Sequence, residues 1–239
     1  MSLSVIIPVH NENKNIKKTI NNLKKLKKYI KNFNILFIDD FSKDDTFELL
    51  KKYSKKYYFI KVFKNKKKGL GPAIEEGIKK SKLNYVSIFM SDSSDSVSDL
   101  IKYYKIISKY KCDAVLGSRF IKKSNIKDYP LIKLFLNRLF NNFVKLIFFS
   151  DYNDFTNAFK IYKKNVLQDL LPIVSENFNV FLEIPLKIIS RKYTYKIIPI
   201  NWKNRKIGKS NFKIKELSSM YIFTLFYCLI EKILLDKKK

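Results

Sequence analysis

Two apolar runs near the amino terminus stop abruptly at polar residues with carboxylates. Ser4-Val5-Ile6-Ile7-Pro8-Val9 leads into His10, Asn11 and Glu12, and Ile35-Leu36-Phe37-Ile38 leads into Asp39 and Asp40. Each run is short enough for a buried strand. Between them Ile16, Ile20, Leu23, Leu26 and Ile30 recur at spacings of three and four, which predicts a helix over 13–31. Such a strand–helix–strand unit places both acid-bearing strand ends on one edge of a parallel sheet. In open α/β sheets that carboxyl edge is where nucleotides bind. The opening therefore predicts a nucleotide-using α/β enzyme.

The alternation continues. Helices are expected over 46–56, 71–81 and 97–110, the last with Leu100, Ile101, Tyr104 and Ile107 inward, and strands over 58–63, 85–90 and 114–116. Strands alternating with helices of this length imply a mostly parallel central sheet covered on both faces. Beyond Phe120 the pattern breaks. Residues 131–149 are dense in Leu, Ile and Phe but interrupted by Lys133, Arg138 and Lys145. A helix is expected over 180–191, a strand over 194–200 and a terminal amphipathic helix over 212–235. The expected organisation is one catalytic domain over 1–211, then a carboxy-terminal amphipathic helix and basic tail over 212–239.

The formal charge of +28 would suit a nucleic acid or an anionic membrane. Only four of the 49 basic residues are arginine, however, and Asn and Ile are abundant, the bias an AT-rich genome produces. Solvated lysine faces and a selected basic surface both fit. No aromatic-plus-basic motif supports nucleic acid as a partner. Cys112 and Cys228 make neither a metal spacing nor a disulfide framework, as expected in a reducing cytoplasm. The first apolar run lacks a basic leader and a cleavage site, so no signal peptide is expected. Met220 to Ile230, eleven residues, would span ~16 Å as a helix against a hydrocarbon thickness of ~30 Å, too little to cross a membrane.

Four groups of residues carry chemistry. Pro8, His10 and Glu12 with Asp39 and Asp40 could hold a base or ribose, although Asp39-Asp40 could equally cap the helix near Thr46. Asp92 and Asp95, three apart after a strand, could hold a divalent ion on a diphosphate, while Ser94, Asp95 and Ser96 would also suit a helix N-terminus. Arg119, after Gly117-Ser118, could grip a phosphate bidentately at the same edge. Arg205 to Ser210 has the make-up of a phosphate-binding flap or of a surface loop.

Together these motifs, with Gly69-Leu70-Gly71-Pro72-Ala73 and Asp154-Phe155-Thr156-Asn157-Ala158-Phe159-Lys160, resemble the successive motifs of inverting family-2 glycosyltransferases. Within them the chain is most similar to the dolichyl-phosphate (polyprenyl-phosphate) mannose synthases. The resemblance runs from residue 4 to about 215. It implies a single Rossmann-like GT-A domain and transfer of a sugar from a GDP- or UDP-sugar to a polyprenyl phosphate with inversion. A same-fold enzyme acting on a saccharide hydroxyl is the alternative. It also implies that Pro8, His10, Glu12, Asp39, Asp40 and Asp92 bind the nucleotide, and that Asp92 and Asp95 hold Mg2+ or Mn2+. The implied catalytic residues are Asp92, Asp95, Arg119 and Arg205. Lys133, Asn137, Arg138 and Ser210 would take the acceptor phosphate. The family's commonest acidic motif has two acids separated by one residue, and Ser91 and Ser93 fall in those slots here. The late basic motif that Arg205 and Ser210 match usually ends in Lys, where this chain has Asn211, with Lys209 or Lys213 as substitutes. The expected setting is the cytoplasmic face of an anionic membrane, contacted peripherally by 131–149.

Overall fold

The computed structural model describes residues 1–92, 94–203 and 214–236. Strand β1 (Ser2–Val9), helix α1 (Asn13–Leu23), β2 (Asn32–Asp39), α2 (Thr46–Lys56) and β3 (Ile60–Lys64) open the alternation. It continues through α3 (Leu70–Lys80), β4 (Tyr85–Ile88), α4 (Val97–Tyr110) and β5 (Ala114–Ser118). After these come β6 (Asn125–Lys127), α5 (Leu131–Phe148), β7 (Lys160–Lys163), α6 (Lys164–Asp169), α7 (Val180–Ser190), β8 (Tyr195–Pro199), β9 (Asn201–Lys203) and α8 (Ile214–Asp236).

Seven strands form one sheet in the order β3-β2-β1-β4-β7-β5-β8, and β6 pairs with β9 apart from it. All eight residues of β1 are buried, because helices cover both faces of a parallel sheet. One core layer packs Ile6, Leu36 and Leu116 against α3, α6 and α7. The other packs Val5, Ile7 and Val115 against α1, α2 and α4. The fold is the α/β arrangement with a mostly parallel sheet that the alternation predicts.

Three details differ from expectation. The helix over 13–31 stops at Leu23 and passes into a 3-10 turn, Lys24–Lys28, that still buries Leu26. In α4 the inward aromatic is Tyr103, which shares a face with Leu100 and Ile107, while Tyr104 sits edge-on to Tyr85. The largest difference is β7. It lies between β4 and β5 and is antiparallel to both, with Lys160 opposite Ile88 and Leu116. An antiparallel strand starts where its parallel neighbours end. The loop entering β7, residues 154–159, is thereby delivered to the carboxyl edge although it precedes a strand. Gly117 on β5 is needed nearby, since a Cβ there would lie 1.7 Å from the Tyr103 hydroxyl, which donates to the Phe159 carbonyl at 3.1 Å.

Candidate active site

A cleft of about 900 Å³ opens along the carboxyl edge of the sheet. Pro8, His10, Glu12, Asp40, Lys68 and Gly69 line one side; Asp92, Asp95 and Arg119 line the middle; Lys133, Asn137, Thr156 and Trp202 line the other. The acids and basic residues named from sequence thus converge from separate elements. Asp39 does not line the cleft. It is buried beneath it, with Oδ2 accepting from the Ser42 backbone at 3.4 Å and Oδ1 without a partner. Asp40 does line it, and its Oδ1 accepts from Asn65 Nδ2 (2.8 Å) and from the Gly69 N–H (2.9 Å), holding the loop before α3. His10 Nδ1 lies 2.6 Å from the Asp40 carbonyl, so it carries the proton, and Nε2 accepts from Asn11. Glu12 accepts from Asn15 at 2.6 Å.

Asp92 and Asp95 follow β4. Asp92 Oδ1 accepts from Ser94 through its backbone N–H (3.0 Å) and its hydroxyl (2.6 Å), and Asp95 Oδ2 accepts from the Met90 N–H at 3.2 Å. No protein donor meets the second oxygen of either carboxylate among the described residues. Burial, reinforced by the Asp92 charge, pushes the Asp95 carboxyl up to about 7. Two hard oxygen donors that repel each other suit a divalent cation whose remaining positions are filled by phosphate oxygens and water. Among the described residues no third His, Cys, Asp or Glu joins them. Ser91 is buried, its carbonyl accepting from Thr19 at 2.9 Å, and Ser93 lies outside the described residues.

Arg119 lines the cleft but is already gripped. Its Nε and Nη2 donate to the two oxygens of Asp154 at 2.9 and 2.6 Å, and its backbone N–H adds a third bond at 2.8 Å. Both side chains are almost wholly buried. Burial alone would lower the guanidinium's affinity for its proton, but Asp154 outweighs it, so the charge is kept. Phe120, Tyr129 and Trp202 surround the guanidinium, with ring centroids 5.2–5.6 Å away. The pairing of β6 with β9 brings Tyr129 and Trp202 together, ring centroids 4.9 Å apart.

On α5, Lys133 and Asn137 are one turn apart and both reach the cleft. Arg138 stands apart from it: its guanidinium lies 4.5 Å from the Phe120 ring centroid and bonds the Asn153 carbonyl at 3.4 Å. The reason is helical phase, since the residue after Asn137 points about 100° round the helix. Arg205, Lys209, Ser210, Asn211 and Lys213 lie outside the described residues. The sequence gives no role to Thr156, Asn141 or Lys160, although Thr156 and Lys160 lie in the motif that starts at Asp154. Lys160 is buried, and its ammonium donates to the carbonyls of Phe155, Asn157 and Phe181. Burial pulls it down to about 7, against the charges of Asp154 and Asp95.

The described cleft wall includes Met220, Tyr221 and Ile222 of α8, and Tyr221 packs edge-on to Phe140 of α5 at 5.7 Å. Beside the cleft both helices turn apolar side chains outward. Leu131, Ile132, Phe135, Leu139 and Leu146 of α5 and Phe223, Phe226 and Ile230 of α8 are all more than half exposed. No helix among the described residues is long and apolar enough to cross a membrane.

Residues 4–171 match the model of glycosyl transferase family 2. The chain belongs to that family. Among curated relatives of this glycosyltransferase, the dolichol-phosphate mannosyltransferase of Pyrococcus furiosus is 26% identical over 91% of the chain. The chain spans only 61% of that relative's length. An uncharacterized protein of Methanocaldococcus jannaschii is 31% identical over 69% of the chain and 73% of its own length. Among solved structures, glucosyl-3-phosphoglycerate synthase from Mycobacterium tuberculosis in complex with phosphoglyceric acid superposes with a TM-score of 0.72 at 16% identity, covering 95% of this glycosyltransferase and 80% of that chain. A crystal structure of the same synthase with Mn2+, uridine diphosphate and glucosyl-3-phosphoglycerate gives 0.69 at 15%, covering 95% and 80%. Residues 1–349 of TarS from S. aureus give 0.67 at 17%, covering 98% and 66%.

Proposed function

We propose that this glycosyltransferase moves a sugar from a nucleotide sugar to a polyprenyl phosphate at a membrane surface, with inversion at the anomeric carbon. One observation carries the reading: a cleft with acids on one side opens, on the other, beside two helices whose outward faces are apolar. The mannosyltransferase relative supports the same class of acceptor.

Asp40, His10 and Glu12, which line the cleft, hold the base and ribose. Asp92 and Asp95 hold a divalent cation, as the synthase crystallised with Mn2+ and uridine diphosphate also suggests. When bound, the ion offsets charge on the departing nucleoside diphosphate. Arg119, kept charged by Asp154, adds positive potential beside it. Lys133 receives the acceptor phosphate, with Asn137 on the same wall; Ser210, given to that site by the resemblance, and Arg205, given to catalysis, lie outside the described residues.

An anionic phosphate acceptor needs no strong base. A hydroxyl acceptor does, and the two buried carboxylates Asp154 and Glu183 are otherwise engaged. Asp154 is bound to Arg119 through both oxygens. Glu183 pairs with Lys187 at 2.7 Å and accepts the N–H groups of Val174 and Ser175. The deciding experiment incubates the enzyme with a panel of sugar nucleotides, with and without polyprenyl phosphate in liposomes. Lipid-linked sugar is the expected product. A soluble saccharide product formed equally well without lipid would favour the hydroxyl acceptor instead.

A further inference from the structure

Thr156 is on the loop that enters β7 and lines the cleft. Its hydroxyl oxygen is the target of three donors: Asn137 Nδ2 at 2.8 Å, Asn141 Nδ2 at 3.3 Å and Arg119 Nη2 at 3.5 Å. The orientation of the Asn137 amide follows from its neighbour. Its Oδ1 accepts from Asn141 Nδ2 at 3.1 Å, which leaves Nδ2 facing Thr156. Asn141 is itself fully buried and anchored to the Asn137 carbonyl at 2.8 Å.

A hydroxyl has two lone pairs and one proton. Asn137 Nδ2 fills one lone pair, and Arg119 Nη2 and Asn141 Nδ2, whose two protons have nearer acceptors in the Asn137 carbonyl and Oδ1, share the other, so the proton must be donated elsewhere. Among the described residues no acceptor takes it. The space that remains is the cleft, which Arg119, 3.5 Å from the hydroxyl, and Lys133, one turn along α5 from Asn137, also line. A donor beside a cation, in a cleft lined by a second one, suits an anionic oxygen.

We propose that Thr156 is a substrate-binding residue whose hydroxyl donates a hydrogen bond to a phosphate oxygen held in the cleft. The proposal rests on the sugar-transfer reading given above. Both the donor diphosphate and the acceptor phosphate present such an oxygen, and the chemistry of recognition is the same for each. Asn137 and Asn141 then act as positioning residues, because their amides turn the hydroxyl proton outward.

The test measures binding of two ligands by calorimetry: a uridine or guanosine diphosphate with Mg2+, and a short-chain polyprenyl phosphate. Thr156→Val keeps the side-chain shape and removes the hydroxyl, whereas Thr156→Ser keeps the proton. Val is expected to weaken one ligand by about 10- to 100-fold, the range for a lost hydrogen bond to a charged group, and Ser to bind as wild type does. Loss confined to the lipid phosphate assigns the acceptor; loss confined to the nucleotide assigns the donor. Should Val unfold because Asn137 and Asn141 lose their partner, Thr156→Ala leaves room for water to solvate both amides and carries the same comparison. Unchanged binding of both ligands by the hydroxyl-free variant overturns the proposal alone, as does a Ser variant as weak as Val. Wild-type protein that binds neither ligand sinks the sugar-transfer reading as well.

Discussion

Arg119 shows why a chain that defaults to lysine keeps an arginine at one place. Its fork is used first on the protein itself, two donors meeting the two oxygens of Asp154 in near-complete burial. A lysine has no planar fork to replace that geometry. Arg119→Lys should therefore lose about 1.5–3 kcal/mol of stability, the range for hydrogen bonds to charged groups, as well as most of its turnover. Urea unfolding and initial rates measure the two, and a variant matching wild type in both contradicts the assignment. Asp95 makes a second residue-scale prediction. Its carboxyl is raised by burial and by Asp92 to about 7. The stability it contributes is fully present below the ordinary carboxylate range and is lost as pH rises through about 7. A divalent cation needs the carboxylate, so nucleotide-dependent metal affinity should fall as pH drops from 8 to 6. Asp95→Asn should flatten that dependence, and calorimetry at the two pH values checks it.

Among the elements, α5 divides its basic side chains between tasks. Lys133 reaches the cleft, whereas Arg138 lies against Phe120 and Asn153. Lys133→Glu should depress transfer to polyprenyl phosphate at least tenfold, about 1.4 kcal/mol, with nucleotide affinity unchanged. Arg138→Glu should act mainly through stability, read as a lower melting temperature. Equal effects of both on acceptor kinetics would argue against this division. The element boundaries legible in the sequence are those with long periodic helices: α2 and α4 begin and end where the spacing of their apolar residues says. The strand β7 was not legible. It is four residues long, and it begins with a lysine that looks solvated until Phe155, Asn157 and Phe181 are found feeding carbonyls to its ammonium. The acids at strand ends could be read because a parallel strand always presents its last residues to the same edge. The segment with Asp154 and Thr156 is legible only as a motif and not by its partners, because it enters that edge from before a strand, and Thr156's partners in α5 are 19 and 15 residues away.

At the scale of the whole molecule, the apolar faces of α5 and α8 lie on a body of formal charge +28. Basic residues near an anionic leaflet contribute about 1 kcal/mol each, and screening shortens the reach of exposed charge to ~8 Å near physiological ionic strength. Binding to vesicles should accordingly rise with anionic lipid and fall with salt. Phe135→Ser with Phe226→Ser should weaken it even at low salt. Vesicle sedimentation measures both effects, and a double variant that binds like wild type would remove these faces from the contact.

The reversed strand β7 has one more consequence. Because it is hydrogen-bonded on both sides within the sheet, the ground beneath the reacting groups cannot shift without unzipping the centre of the domain. The rim is under no such restraint: α5, α8 and the small β6–β9 ribbon meet the cleft from outside the sheet. Substitutions on the rim can therefore reshape the mouth of the cleft without disturbing the floor that holds Asp154, Thr156 and Lys160.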